Sequence, residues 1–135
     1  MDIIQNYVGG ALSRSHSERH SLVYNPALGE PIRQVVLSSA DEVRQAIAVA
    51  HAAFPAWSQT PPLRRARVLF RFKALLEAHQ DTLARLISEE HGKVLSDAVG
   101  ELTRGLEVVE FACGIPHLQK GEHSANVGRG IDSHP

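Results

Sequence analysis

The feature that most constrains this chain is a change of hydrophobic period at residue 39. Ahead of it, apolar residues alternate in short extended runs. Behind it they recur every three to four positions, the spacing of one face of an α-helix with about 3.6 residues per turn. The change is marked by Ser39-Ala40-Asp41-Glu42, a capping box in which the serine hydroxyl accepts from a first-turn amide and the glutamate reaches back to the cap. The apolar stripe that follows is Val43, Ala46, Ile47, Ala50, Ala53 and Phe54. Pro55 is expected to end this helix or bend it near Trp57, because proline removes a helix hydrogen bond.

Three more helices are expected before residue 116. Thr60-Pro61-Pro62 opens the second, with Thr60 as its cap and with Leu63, Ala66, Phe70, Phe72, Leu75 and Leu76 on its buried side. Ala78-His79-Gln80-Asp81 is the expected joint to a third helix, which turns Leu83, Leu86 and Ile87 inward and stops at Gly92. Ser96 is expected to cap a fourth, whose apolar positions Val99, Leu102, Leu106, Val109 and Cys113 step by alternate threes and fours as far as Gly114-Ile115-Pro116. Residues 1–37 are expected to be extended, with a turn at Gly9-Gly10 and a hairpin-like pair of strands at Ser21–Tyr24 and Ile32–Val36, joined through Asn25-Pro26-Ala27-Leu28-Gly29-Glu30. Residues 117–135 carry no clear pattern and are expected to form an irregular, truncated tail. The fold class is therefore mostly α with short N-terminal strands.

Composition narrows the partners. The 14 Lys and Arg against 15 Asp and Glu give a net charge of −1, without the basic excess that nucleic acid or an anionic membrane surface requires. One cysteine permits no internal disulfide, and no stretch approaches the ~18 apolar residues of a membrane span. A soluble protein of the cytoplasm is the expectation.

Local chemistry offers few sites. Cys113 lies on the apolar stripe of the fourth helix, near its C-terminal end, where a cysteine acts as a small hydrophobe. His16 and His20 have helical ligand spacing but no helical pattern and no third ligand, so no metal site is expected. Gly128-Arg129-Gly130 begins like a dinucleotide fingerprint, but Ser133 replaces the third glycine and no strand–helix context surrounds it. Arg64, Arg67 and Arg71 share a face of the second helix. The neighbouring Glu77, Asp81, Glu89 and Glu90 are expected to neutralise them as a salt-bridged surface. Arg104 stands apart, inside the fourth helix between Gly100 and Gly105. Each of these glycines costs a helix interior about 1 kcal/mol relative to alanine, which suggests close approach by another group. Arg104 then either pairs with Glu101 or Glu107 on its own surface or clamps a carboxylate through two parallel hydrogen bonds.

The motifs in series resemble a known family. Asn6-Tyr7-Val8-Gly9-Gly10, Tyr24-Asn25-Pro26-Ala27 with Gly29-Glu30, Ala53-Phe54-Pro55-Ala56-Trp57, the arginine-rich helix, and Glu90-His91-Gly92-Lys93 resemble the opening of the aldehyde dehydrogenase superfamily. The run from Gly100-Glu101-Leu102-Thr103-Arg104 to Phe111-Ala112-Cys113 is similar to its CoA-acylating, methylmalonate-semialdehyde dehydrogenase branch. The resemblance implies the N-terminal portion of an α/β fold within an NAD-binding domain, ending before the main nucleotide-binding sheet.

The implied reaction is NAD-dependent oxidation of methylmalonate or malonate semialdehyde to propionyl-CoA or acetyl-CoA. NAD is the implied cofactor, CoA the co-substrate, and the full-length enzyme a dimer or tetramer. By resemblance, Arg104 binds the substrate carboxylate. The catalytic cysteine, oxyanion-stabilising asparagine and glycine-rich cofactor segment of the family fall downstream of residue 135. No catalytic, cofactor-binding or metal residue is therefore assigned within the chain, and it is expected to be inactive alone, with its apolar helix faces partly exposed. Other readings are a fragment of a different NAD(P)-dependent aldehyde or semialdehyde dehydrogenase, and a non-catalytic helical interaction module.

Overall fold

The computed structural model describes residues 1–134. In chain order its elements are β1 (Ile3–Ile4), β2 (Asn6–Val8), β3 (Ala11–Ser13), β4 (His20–Asn25), β5 (Glu30–Val36), α1 (Ala40–Ser58), α2 (Pro62–Ala78), α3 (Gln80–His91), α4 (Leu95–Cys113), α5 (Ile115–Leu118), β6 (Ser124–Gly128) and β7 (Ile131–Ser133). They fall into two compact units. The first joins Met1–Thr60 to Gln80–Leu102, and the second joins Pro61–His79 to the chain from Thr103 onward.

In the first unit, β4 and β5 form the expected antiparallel pair. Their turn is closed by the Leu28 and Gly29 amides donating to the Asn25 carbonyl at 3.2 and 2.8 Å. β1 adds to β5 in parallel, Ile3 opposite Gln34 and Ile4 opposite Val35, giving the order β1-β5-β4. Local sequence does not show this pairing, because its partners lie some thirty residues apart. The Ile3–Val8 run also splits, and its second half folds back through Gly9 and Gly10 as the β2–β3 hairpin. Both glycines have positive φ, +63° and +86°, which a two-residue hairpin turn needs and side chains resist.

The capping box forms as read. Ser39 Oγ accepts from the Glu42 amide at 3.3 Å, and Glu42 Oε2 accepts from the Ser39 amide at 2.7 Å. Glu42 Oε1 also takes the Ser15 hydroxyl at 2.7 Å and the His16 amide at 2.9 Å. One carboxylate thus ties the β3–β4 connection to the start of α1. Helix α1 runs on through Pro55 to Ser58, so Pro55 does not end it. Proline's φ is compatible with a helix, and its own carbonyl remains available: Pro55 O accepts from the Gln59 amide at 3.3 Å and from Ser58 Oγ at 3.0 Å. Thr60 closes α1 instead of capping α2, its hydroxyl donating to the Ala56 carbonyl at 2.9 Å. The α2 N-cap is Pro61, with no side-chain bond.

A single residue, His79, separates α2 from α3, at the expected joint. Helix α3 ends at Gly92, whose φ is +81° and where a Cβ would stand 2.8 Å from Pro26 Cγ. Arg33 on β5 holds α3 through Glu89 at 3.0 Å and Glu90 at 3.1 Å. Ser96 lies within α4, which begins at Leu95, so it is not that helix's cap.

In the second unit Lys73 bridges within α2 to Glu77 at 2.6 Å and to Glu110 of α4 at 3.8 Å. The hydrogen bond that Lys73 Nζ donates to Glu77 is the main cause of a raised Lys73 pKa. The tail expected to be irregular holds α5 and an antiparallel β6–β7 hairpin, with Gly128 opposite Ile131 and the Asn126 amide on Asp132 Oδ1 at 2.9 Å. Its strands are short and only Val127 and Ile131 are β-branched and apolar, so alternation alone could not reveal them. Pro135, the last residue of that expected tail, lies outside the described residues.

The buried apolar residues are Val36, Ala66, Ala84, Ala98 and Cys113, and among the described residues no large side chain is fully buried. On α1, Ile47 is 63% and Phe54 64% exposed. On α2, Leu63, Phe70, Phe72 and Leu75 stand exposed where they were expected inward; Ala66 is buried and Leu76 half-buried. Leu86 of α3 is exposed as well, while Leu83 and Ile87 are half-buried.

The Glu42 clasp makes a pH prediction. Hydrogen bonds from the Ser39 amide, the Ser15 hydroxyl and the His16 amide, in that order, hold this carboxyl at about 2 against an ordinary 4.5. The folded chain takes up this proton at lower pH than the unfolded chain does. Its stabilising contribution is therefore complete above pH 4.5, declines as pH falls, and is gone near pH 2. The stability gap between the native chain and Glu42→Gln, read from urea midpoints at several pH values, should close across that window. A gap that stays constant with pH would contradict it.

Candidate substrate-carboxylate site

Helix α4 carries the one residue singled out as a binding group. Its 19 residues make a rod of about 28 Å at about 1.5 Å per residue. One stripe of the rod turns inward as the spacing required: Val99, Leu102, Leu106 and Val109 are half-buried and Cys113 is buried. Cys113 therefore fills space, and its thiol has none of the exposure that a nucleophile needs.

Arg104 lies off that stripe, exposed. Positions i, i+4 and i+7 share a helix face, so Arg104 is aligned with Val108 and Phe111, which are 68% and 69% exposed. The surface ion pair weighed for Arg104 does not form among the described residues. Glu101 Oε2 instead accepts from Lys93 Nζ at 2.6 Å, and no ion pair within 4.0 Å includes Arg104. Beside it, a Cβ on Gly105 would meet nothing within 4 Å, so the close approach expected at this glycine does not occur among the described residues. The result is an exposed guanidinium with five donors available, next to open space and two apolar side chains.

The other sequence candidates are placed differently. Glu77 engages Lys73, and Glu89 with Glu90 engages Arg33. Three of the four acids expected to neutralise Arg64, Arg67 and Arg71 thus serve other cations, and those arginines, like Asp81, take part in no ion pair among the described residues. His16 donates its backbone amide to Glu42, and the His20 ring meets the Glu18 carbonyl at 3.0 Å. Among the described residues no three His, Cys, Asp or Glu side chains gather to hold a metal. Gly128-Arg129-Gly130 sits at the turn of the β6–β7 hairpin. A dinucleotide's pyrophosphate needs a helix N-terminus directly after such glycines, and strand β7 follows these instead, so they do not fit a nicotinamide dinucleotide.

The model of the aldehyde dehydrogenase family matches residues 13–133. The chain belongs to the aldehyde dehydrogenase family. Among relatives of this family, the malonate-semialdehyde dehydrogenase of Pseudomonas aeruginosa is 48% identical over 133 residues, 98% of this chain and 27% of that protein. Malonate-semialdehyde dehydrogenase 2 of Geobacillus thermodenitrificans is 45% identical over 130 residues, 96% of this chain and 27% of its own. Among solved structures, the methylmalonate-semialdehyde dehydrogenase of Oceanimonas doudoroffii is similar with a TM-score of 0.89 and 56% identity, over 98% of this chain and 27% of that one. A Sinorhizobium meliloti protein assigned the same activity and complexed with NAD gives 0.88 and 44%, with the same coverage. The chain thus spans about a quarter of the length of these family members and has the fold of their N-terminal part. The mostly α architecture with short strands at its start agrees with them. No helix among the described residues is long and apolar enough to cross a membrane.

The open space at Gly105 can be tested on the chain itself. Gly105→Ala adds a methyl group that meets nothing and removes glycine's excess backbone freedom, so it should stabilise the chain by about 0.5–1 kcal/mol. A higher thermal midpoint is the expected result. A lower one would show that the space beside Arg104 is already filled.

Proposed function

We propose that this chain is the part of a CoA-acylating semialdehyde dehydrogenase that recognises the substrate's carboxylate. Methylmalonate semialdehyde and malonate semialdehyde are the proposed substrates, and propionyl-CoA and acetyl-CoA the products. The observation that carries this reading is Arg104: an exposed guanidinium with no ion pair among the described residues, on a helix face shared with the exposed apolar side chains of Val108 and Phe111, beside a glycine with open space. A carboxylate docked there gains two parallel charge-assisted hydrogen bonds, which fix its orientation as well as its position. The relatives described above support the substrate class, since their names pair an aldehyde with a carboxylate.

The oxidation itself, with NAD as hydride acceptor and CoA as acyl acceptor, belongs in this reading to residues outside these 135. Within them the one cysteine is the buried Cys113, so the 135 residues alone reduce no cofactor. We place the chain in the NAD-binding domain of a cytoplasmic homo-oligomer, a dimer or tetramer. Another aldehyde or semialdehyde dehydrogenase would share the fold but would gain nothing from Arg104 if its substrate were uncharged. A helical interaction module would use the same exposed faces without any substrate.

Substitution at Arg104 separates these readings. In a full-length polypeptide carrying residues 1–135, Arg104→Ala should lower kcat/KM for methylmalonate semialdehyde by about 100-fold, the scale of a lost bidentate charged pair. Propanal, which has no carboxylate, should lose no more than about threefold. Equal losses on the two substrates, or none on either, would overturn the assignment.

A further inference from the structure

The relatives of this chain are named for two substrates that differ by one methyl group, on the carbon that bears the carboxylate. An enzyme holding the carboxylate at Arg104 therefore meets that methyl two bonds from the carboxyl carbon. Side chains on an α-helix lean toward its N-terminus, so a residue covers the turn before its own Cα. Arg104 thus leans toward the turn that holds Gly100. Val108, one turn later and about 6 Å along the axis, leans over the position of Arg104. Its branched side chain is 68% exposed, an apolar surface beside the guanidinium stem.

We propose that Val108 is the specificity-determining residue for the α-substituent: its methyl groups form the apolar wall against which the α-methyl of methylmalonate semialdehyde packs. This rests on the reading of Arg104 as the carboxylate clamp. Val108 makes no bond to the reacting atoms. It acts on the difference between the two substrates, because malonate semialdehyde presents only hydrogen where the methyl would lie. One buried methyl is worth a several-fold preference.

The test compares both semialdehydes in a full-length polypeptide carrying residues 1–135. Val108→Ala withdraws the wall and favours the helix, and Val108→Thr keeps the shape but sets a hydroxyl against the methyl. Each should lower the ratio of kcat/KM for methylmalonate over malonate semialdehyde by about three- to tenfold, with malonate semialdehyde changed by less than about twofold. Equal losses on both substrates, or an unchanged ratio, would overturn the proposal. Arg104→Ala in the same background keeps the two readings apart. If it abolishes discrimination against propanal while the Val108 variants leave the ratio unchanged, the clamp stands and the Val108 assignment fails. If Arg104→Ala has no such effect, the clamp itself fails.

Discussion

The structure depends on an imbalance between helix formation and burial. Its helices are long enough to persist, and their ends are closed by local bonds: the Ser39–Glu42 box, the Thr60 hydroxyl on Ala56, Gly92 after α3. Yet the side chains that should drive helices together are mostly uncovered, and the fully or nearly buried residues are small. Burying a Leu, Ile or Phe side chain contributes about 1.5–3 kcal/mol, the largest favourable increments available to a domain. Here those increments are largely unrealised at Ile47, Phe54, Phe70 and Phe111. Polar clasps help to hold the elements within each unit, with Glu42 on the β3–β4 connection, Arg33 on α3 and Lys73 on Glu110. Partly exposed pairs of this kind are individually weak.

That imbalance is also what makes Arg104 a candidate site. A rigid helix turns one stripe inward and leaves the opposite face, with its cation and two apolar neighbours, free for a ligand. Of the two acids three residues either side of Arg104, Glu101 is engaged by Lys93, and Glu107 forms no ion pair with Arg104 among the described residues. The charge therefore remains available for a substrate carboxylate, with the exposed apolar side chains of Val108 and Phe111 on the same face.

What the sequence disclosed follows the range of the interactions. The capping box, the joint at His79, the stop at Gly92 and the inward stripe of α4 depend on residues within one or two turns, and each was legible. The passage of α1 through Pro55 was not, because proline forfeits one helix bond without forbidding the turn that follows, and the Pro55 carbonyl still accepts from Ser58 and Gln59. The β1–β5 pairing was hidden by sequence distance, and the β6–β7 hairpin by strands too short to show alternation. The buried side of α2 was misread for another reason. Periodicity identifies the face able to be buried, but Phe70, Phe72 and Leu75 find nothing among the described residues to bury them. Arg104 was legible as an unusual residue through its flanking glycines, while the engagement of Glu101 by Lys93, which decides against the ion pair with that residue, needed coordinates.

The central claim is that the large apolar side chains of this chain are solvent-exposed in its folded state. Fluorescence of an apolar-surface dye such as anilinonaphthalene sulfonate, titrated into the 135-residue chain in native buffer, reads this directly. The account predicts strong enhancement while far-ultraviolet circular dichroism still reports intact helices. A chain with the same helical signal and no dye enhancement would have its stripes covered, and would contradict the account.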